Sequence, residues 1–456
     1  MTITRQIARW STTVTFGDLP DVVVAEAKRF LLDTIGCAFG GWGTADVRIA
    51  LDVLAALGGT PECTLIGEGG KTSVVNAALA NALMVRALDY NDIYWKQDPS
   101  HPSDIIPGVL ALAEQRGLTG RDLLVGIAIA YEIEMRLCEF AFPGIREKGW
   151  HHATLTAVAS PFAAGRMIGL DVEKTVHAVG ISASPSCSLG AVTAGKLTMM
   201  KNTVDPMAVQ AGVLAALLAE RGYTGPEHVL DGKEGISHAL FGSEYRMEIL
   251  TDGLGETWRL PNCGMKAYPT EALTHAPISC TLRVLRENGL TGDDVERVEV
   301  RTLARAADIL CDPSKYDPRS KETADHSLPW CLAAALGRGK VTTDEFSDSA
   351  LEDEGIRKHL RKVVAVVDAE AEAAFPDRQL CTVTLHTTDK RELSARVEYP
   401  KGDPRDPMSN AEIRVKFDAL CGAAIPPPQR DRIWAAVAEI EEWAVADFMQ
   451  LLVANG

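Results

Sequence analysis

Aromatic side chains are scarce in this chain, 6% of 456 residues, in an otherwise ordinary globular composition of 46% hydrophobic and 24% charged residues. With Ala, Leu and Val dominant, such a chain favours helices packed closely through small side chains, and its apolar content excludes a disordered polymer. Basic residues are also few: 46 Lys and Arg stand against 62 Asp and Glu, a formal charge of −16. A nucleic acid or an anionic membrane needs a basic surface to displace condensed counterions, so neither is expected as a partner. An anionic small molecule remains admissible, provided that a few Lys, Arg and His residues are gathered in a cleft against the adverse global field.

Clustered cysteines are missing as well. The ten thiols run from Cys37 to Cys421, and even the closest pair, Cys263 and Cys280, lies far outside C-x-x-C spacing. That argues against zinc ribbons and clustered iron–sulfur ligand sets and leaves single buried thiols, so no copurifying metal is expected. No G-x-x-x-x-G-K-[ST] or G-x-G-x-x-G loop accompanies a strand–helix unit, which argues against a nucleotide enzyme. H-E-x-x-H and G-x-S-x-G are absent too. Arg5 and Arg9 are not followed by an apolar run, so no secretory signal is expected. The longest uncharged stretch, residues 175–195, contains Ser, Pro, Gly and His177 and does not read as a membrane span. The expected location is the cytoplasm.

The length favours two domains. From residue 19 to about 242 the spacing is helical: Val23, Ala27, Phe30, Leu31 and Ile35 make one apolar stripe ending at Gly40-Gly41. Ser73 caps a segment through residue 87, Thr119 with Asp122 makes a capping-box start for a helix to about residue 140, and Asp171 opens another. Residues 207–221 read as a further buried helix. After Asn262 the pattern changes to β-branched clusters at residues 295–300 and 363–367, and residues 382–386 and 393–399 read as a hairpin. Ser409 with Glu412 then caps the first of two closing helices, the last near residues 430–453. The expected fold is mainly α with an α+β second domain. Residues 1–262 and 403–456 form a helical domain from both chain ends, and residues 263–402 form the smaller unit.

The chemistry-bearing residues concentrate in a few places. Asp89, Asp92, His101 and Asp104 crowd a loop between two helices, the raw material of general acid–base catalysis, although Asp104 with Pro107 also suits a helix start. His151 and His152 enter a small-residue helix, where adjacent side chains point to different faces; one is expected in a cleft while the other packs. A helix N-terminus there would lower an imidazole's proton affinity. Lys196 and Lys201 straddle a Met-rich turn, and Lys266 lies at the junction of the two units, where ligand sites are favoured. Asp325-His326 adds an acid–imidazole pair on the second unit.

Taken together, Leu88-Asp-Tyr-Asn-Asp92, His101-Pro-Ser-Asp104, Gly149-Trp-His-His-Ala-Thr154, Lys201, Lys266-Ala-Tyr-Pro269, Thr323-Ala-Asp-His-Ser-Leu-Pro329 and Tyr399-Pro-Lys-Gly-Asp-Pro-Arg-Asp-Pro-Met408 resemble the MmgE/PrpD family. Its members include 2-methylcitrate dehydratase, cis-aconitate decarboxylase and iminodisuccinate epimerase. The resemblance runs nearly end to end and implies a helical domain, an α+β lid, a site between them, a homodimer and no cofactor. It implies Asp92, His101, one of His151 and His152, Lys201 and Lys266 as catalytic residues. Asp89, Tyr268, His275 and His326, in or beside these motifs, are the substrate-binding candidates. Two positions depart from the dehydratase pattern: Leu273 stands where a His is usual, and Asp205-Pro206 where small residues are.

The implied reaction is removal of a proton beside a carboxylate of a small polycarboxylic acid, with dehydration of 2-methylcitrate the leading expectation. His101, assisted by Asp92, is the expected acid and one of the His pair the base, or the reverse. Decarboxylation of the cis-aconitate type and epimerisation of the iminodisuccinate type are alternatives on the same charged intermediate. Readings of other kinds are a non-catalytic carboxylate-binding protein and a metal-dependent hydro-lyase with Asp89, Asp92, His101 and Asp104 as ligands.

Overall fold

The apolar stripe from Val23 to Ile35 lies buried along helix Asp21–Gly41, which crosses helix Val74–Arg86 so closely that a Cβ on Gly41 would come within 2.0 Å of the Met84 carbonyl oxygen. Glycine is required at that crossing. The computed structural model describes all residues except Phe241, Ser243, Asn455 and Gly456. Three expected caps are present: Ser73 accepts the Asn76 N–H ahead of helix Val74–Arg86, Thr119 and Asp122 cap each other's backbone ahead of helix Gly120–Leu137, and Asp171 accepts the Lys174 N–H ahead of helix Val172–Ala183.

Helix Met200–Glu220 is the hub of the helical domain, packed on helices Ala153–Met167, Val74–Arg86 and Val172–Ala183. Among the described residues it alone is long and apolar enough to cross a membrane, but most of it is covered by those neighbours. It begins well before residue 207, where the expected helix started. Lys201 and Asp205 therefore sit in its opening turns and are fully buried.

The second unit holds a four-stranded sheet in the order Glu392–Val397, Cys381–Thr387, Val295–Thr302, Val363–Val367, antiparallel except for the last pair. Val383 faces Val300 and Leu385 faces Val298 across the ladder, and this buried face is covered by helices His275–Asn288 and Leu328–Arg338. The fold is thus mainly α with an α+β domain. One apolar core joins residues 7–265 to residues 408–452; the other spans residues 272–395 and takes in Trp95 from the helical side.

The chain returns through the expected Ser409–Glu412 capping box into helix Asn410–Cys421, which packs on helix Asp21–Gly41. The single closing helix expected near residues 430–453 is instead three pieces: helix Pro427–Ala438, a 3-10 turn Ile440–Glu442 and helix Val445–Gln450. The break lets the Trp443 carbonyl accept the Gly120 N–H and the Val445 N–H donate to the Leu118 carbonyl, so a distant loop claims the backbone that a continuous helix would have used.

Candidate active site

Where helix Val74–Arg86 ends, the chain turns through Asp89, whose φ of 50° lies in the left-handed region that Asp tolerates better than most residues. Charge fixes that turn. Arg86 pairs directly with the Asp89 carboxylate, Lys266 Nζ lies 3.0 Å from Oδ2 and 3.1 Å from the Asp89 carbonyl oxygen, and Lys201 Nζ lies 3.5 Å from Oδ1. Lys201 is also 3.6 Å from Asp325, which Lys321 approaches at 2.9 Å, so one chain of alternating charge crosses from the helical domain into the lid. Burial pushes the Asp89 carboxyl up, but Lys201, Lys266 and Arg86 outweigh it and hold it well below the usual carboxylate range. Burial lowers both lysines in turn.

Three imidazoles stand beside this network. His101 Nδ1 lies 2.5 Å from the Asp92 carbonyl oxygen. A carbonyl only accepts, so Nδ1 carries the proton and Nε2 keeps its lone pair. Burial, followed by the charges of Arg86 and Lys266, pushes His101 well below its ordinary pKa and keeps it neutral. His151 has the opposite tautomer: the Ala153 N–H donates to its Nδ1 at 3.2 Å, so its proton sits on Nε2, which is buried and has no hydrogen-bond partner among the described residues. Burial, then His152, lowers its proton affinity too. The His152 ring lies 3.9 Å from that of His151 and 5.3 Å from that of His101, and its Nε2 is 3.4 Å from Asp205 Oδ1.

The expectation that adjacent histidines point apart fails here. Both precede helix Ala153–Met167, His152 occupying the N-cap, so helical spacing does not govern them and both line one cavity. His151, His152 and Asp205 also form the one group of three possible metal ligands found among the described residues, each offering an atom within 4.8 Å of the others. Two features oppose a cation there: Arg86 Nε is 3.7 Å from Asp205, and the Ala153 N–H occupies His151 Nδ1. Asp89, Asp92, His101 and Asp104 do not converge as such a group.

The remaining sequence candidates fall in different places. The Asp92 carboxylate accepts the Ser103 N–H at 3.0 Å and its hydroxyl at 2.6 Å, away from the cavity; burial raises it to about 6, and Asp92 reaches His101 only through its backbone. Asn91 donates to Asp104, which lies in a 3-10 turn, not at an N-cap. His326 lines the cavity with Nδ1 2.6 Å from Asp325. Tyr268 and His275 instead meet each other edge to face at 5.3 Å; the first pairs with Ser279 and the second reaches the Thr270 carbonyl. Leu273 is buried in the lid core, and Lys196 is exposed.

The cavity is small, about 50 Å³, room for a water or two. Ile93, Trp95, Lys266 and Ala272 separate it from an outer groove of about 710 Å³ that His275 lines. Arg86, Arg146, Lys315 and Glu271 also face the cavity and were not singled out from the sequence. Glu271 accepts the Leu273 N–H at 2.7 Å, and burial, partly offset by Arg146 and Lys266, raises its carboxyl to about 7. Its place two residues beyond the Lys266-Ala-Tyr-Pro269 motif was the available signal. The site thus joins a free imidazole lone pair, an imidazole N–H, a carboxyl that is half protonated near neutrality and several cations.

Residues 5–248 match the MmgE/PrpD N-terminal domain and residues 268–442 the MmgE/PrpD C-terminal domain. A cis-aconitate decarboxylase of Aspergillus terreus is 27% identical over 448 residues, covering 92% of this chain and 89% of its own. A mitochondrial 2-methylcitrate dehydratase of Yarrowia lipolytica is 27% identical over 444 residues, covering 91% and 83%. A 2-methylcitrate dehydratase of Salmonella typhimurium is 25% identical over 455 residues, covering 94% and 92%.

Proposed function

The chain belongs to the MmgE/PrpD family, and from that premise we propose that it is a lyase that dehydrates a small hydroxy tricarboxylate, 2-methylcitrate before citrate. The observation that carries this reading is the presence, in one cationic cavity, of a base with a free lone pair and an acid poised near neutrality. Elimination of water needs both, as does epimerisation, whereas loss of carbon dioxide needs no base to begin it.

His101 Nε2 takes the proton from the carbon beside a substrate carboxylate, which places a second negative charge on an already anionic group. Arg86, Lys201 and Lys266 supply a fixed positive field for that charge, and the His151 Nε2–H donates to the developing oxyanion; such preorganised donors are worth about 3 kcal/mol each. The bond from the neighbouring carbon to its hydroxyl then breaks, and the departing oxygen takes the Glu271 proton to leave as water. His101 holds the abstracted proton and Glu271 is left ionised, so one transfer between them through solvent resets the site. His101 is then the base, one of the two roles open to it from the sequence, and Glu271 the acid. Asp205, ionised beside His152, fixes that ring between the other two.

The test offers 2-methylcitrate, citrate, cis-aconitate and an epimerisable aspartate derivative in parallel while ultraviolet absorbance, carbon dioxide and stereochemistry are followed. The conjugated alkene formed from 2-methylcitrate gives rising absorbance. Carbon dioxide from cis-aconitate with no such rise assigns the chain to decarboxylation, and inversion without either product assigns it to epimerisation. Binding of all four acids with no turnover leaves a carboxylate-binding protein.

A further inference from the structure

The cations facing the inner cavity differ in how far the protein already neutralises them. Arg86 meets the Asp89 and Asp205 carboxylates and has Asp104, whose carboxyl burial pushes well above the usual range, at 3.6 Å, and Lys266 meets Asp89. Lys315 donates to the Gly195 carbonyl at 3.0 Å and has Asp312 at 3.8 Å. Arg146 is different: among the described residues no carboxylate comes within the 4.0 Å of an ion pair with its guanidinium. The acidic side chain that most affects it, Glu271, is itself raised to about 7 and supplies only part of a charge.

The protein nevertheless holds Arg146 firmly. The buried Asp98 carboxylate accepts the backbone N–H of Ile145 at 2.9 Å and of Arg146 at 3.0 Å. Gly144 passes so near that an added Cβ would meet Asp98 Oδ1 at 2.5 Å and the Gln97 carbonyl oxygen at 2.6 Å, so only glycine allows this turn. The guanidinium then lies 5.7 Å over the Trp95 ring, which Arg305 also faces at 5.8 Å. A buried carboxylate anchors the backbone, an aromatic ring supports the side chain, and the planar donor fork is left for a ligand.

We propose that Arg146 binds a second carboxylate of the substrate, one not attached to the carbon that loses its proton, and so selects tricarboxylates over dicarboxylates. The proposal rests on the polycarboxylate reading above. The carboxylate beside the reacting carbon is served by Lys266 and Arg86, whose charges also bear on His101. A further carboxylate completes Arg146 with the paired hydrogen bonds that guanidinium and carboxylate make.

Calorimetric titration with tricarballylate, which lacks the hydroxyl to be eliminated, and with glutarate tests this without turnover. The wild-type protein should prefer tricarballylate by about tenfold or more, the value of one charge-assisted contact. Arg146→Gln should lose that preference and Arg146→Lys regain part of it, with melting temperatures unchanged because the Asp98 anchor is to backbone. In turnover, Arg146→Gln should raise KM for the tricarboxylate by a similar factor and alter kcat little. A preference retained in Arg146→Gln overturns the proposal. A wild-type protein that binds neither acid overturns the polycarboxylate reading and the proposal with it.

Discussion

Replacing Asp89 with Asn keeps the size of the side chain and its tolerance of a positive φ while removing the charge that Arg86, Lys201 and Lys266 share. The cost falls unevenly. Arg86 keeps Asp205, and Lys201 keeps Asp325, but Lys266 is left with the Asp89 carbonyl at 3.1 Å as its hydrogen-bond acceptor. Removing one partner of a buried pair typically costs about 3–5 kcal/mol, and with two of three cations still paired the lower end, about 3 kcal/mol, is expected at pH 7. The folded Asp89 pKa is depressed, so its contribution is present above the unfolded value of about 3.9 and lost as pH falls through the folded value. The difference between wild type and Asp89→Asn should therefore shrink below about pH 4. Urea unfolding followed by circular dichroism at pH 7 and at successively lower pH measures both quantities. A variant within about 0.5 kcal/mol of wild type at pH 7, the range of ordinary surface substitutions, would refute the shared-charge account.

His101→Gln should lower kcat about a hundredfold or more, the usual worth of a general base. Because burial holds His101 well below its ordinary pKa, wild-type kcat should persist to pH values below about 6.5 before the acid limb begins; a limb above that value contradicts the neutral-base assignment. Glu271→Gln should slow turnover and abolish the alkaline limb expected near pH 7, and a limb that survives the substitution excludes Glu271 as the acid. Gly144→Ala should raise KM through displacement of Arg146 from its Asp98 anchor, and an unchanged KM shows that the turn has room the geometry denies.

Local rules carried far where local contacts decide. Ser73, Thr119, Asp171 and Ser409 each cap the helix that follows them, because a hydroxyl or carboxylate there satisfies an orphan N–H within three residues. The buried alternation of strand Cys381–Thr387 was equally visible. The closing helix was misread because its interruption depends on Leu118 and Gly120, far away in sequence. Helical periodicity does not reach the histidine pair, because both residues stand just before the helix. Lys201 and Lys266 were found through a motif, but neither Arg86 nor Arg146 is distinguishable in sequence from a surface arginine; what sets Arg86 apart is Asp205 on another helix. Tyr268 and His275 lie on the lid helix and its approach, turned toward each other rather than into the inner cavity, a matter of side-chain direction that residue type does not carry.

The proposed role of His101, removal of a proton from the carbon beside a carboxylate, is open to direct measurement. Mass spectrometry of 2-methylcitrate recovered from incubation in deuterium oxide, together with the alkene product, measures that step directly. Wild-type protein is expected to form the alkene and to place solvent deuterium at the reacting carbon when product is rehydrated, and His101→Gln to do neither. Deuterium exchange and alkene formation that continue undiminished in His101→Gln would contradict it.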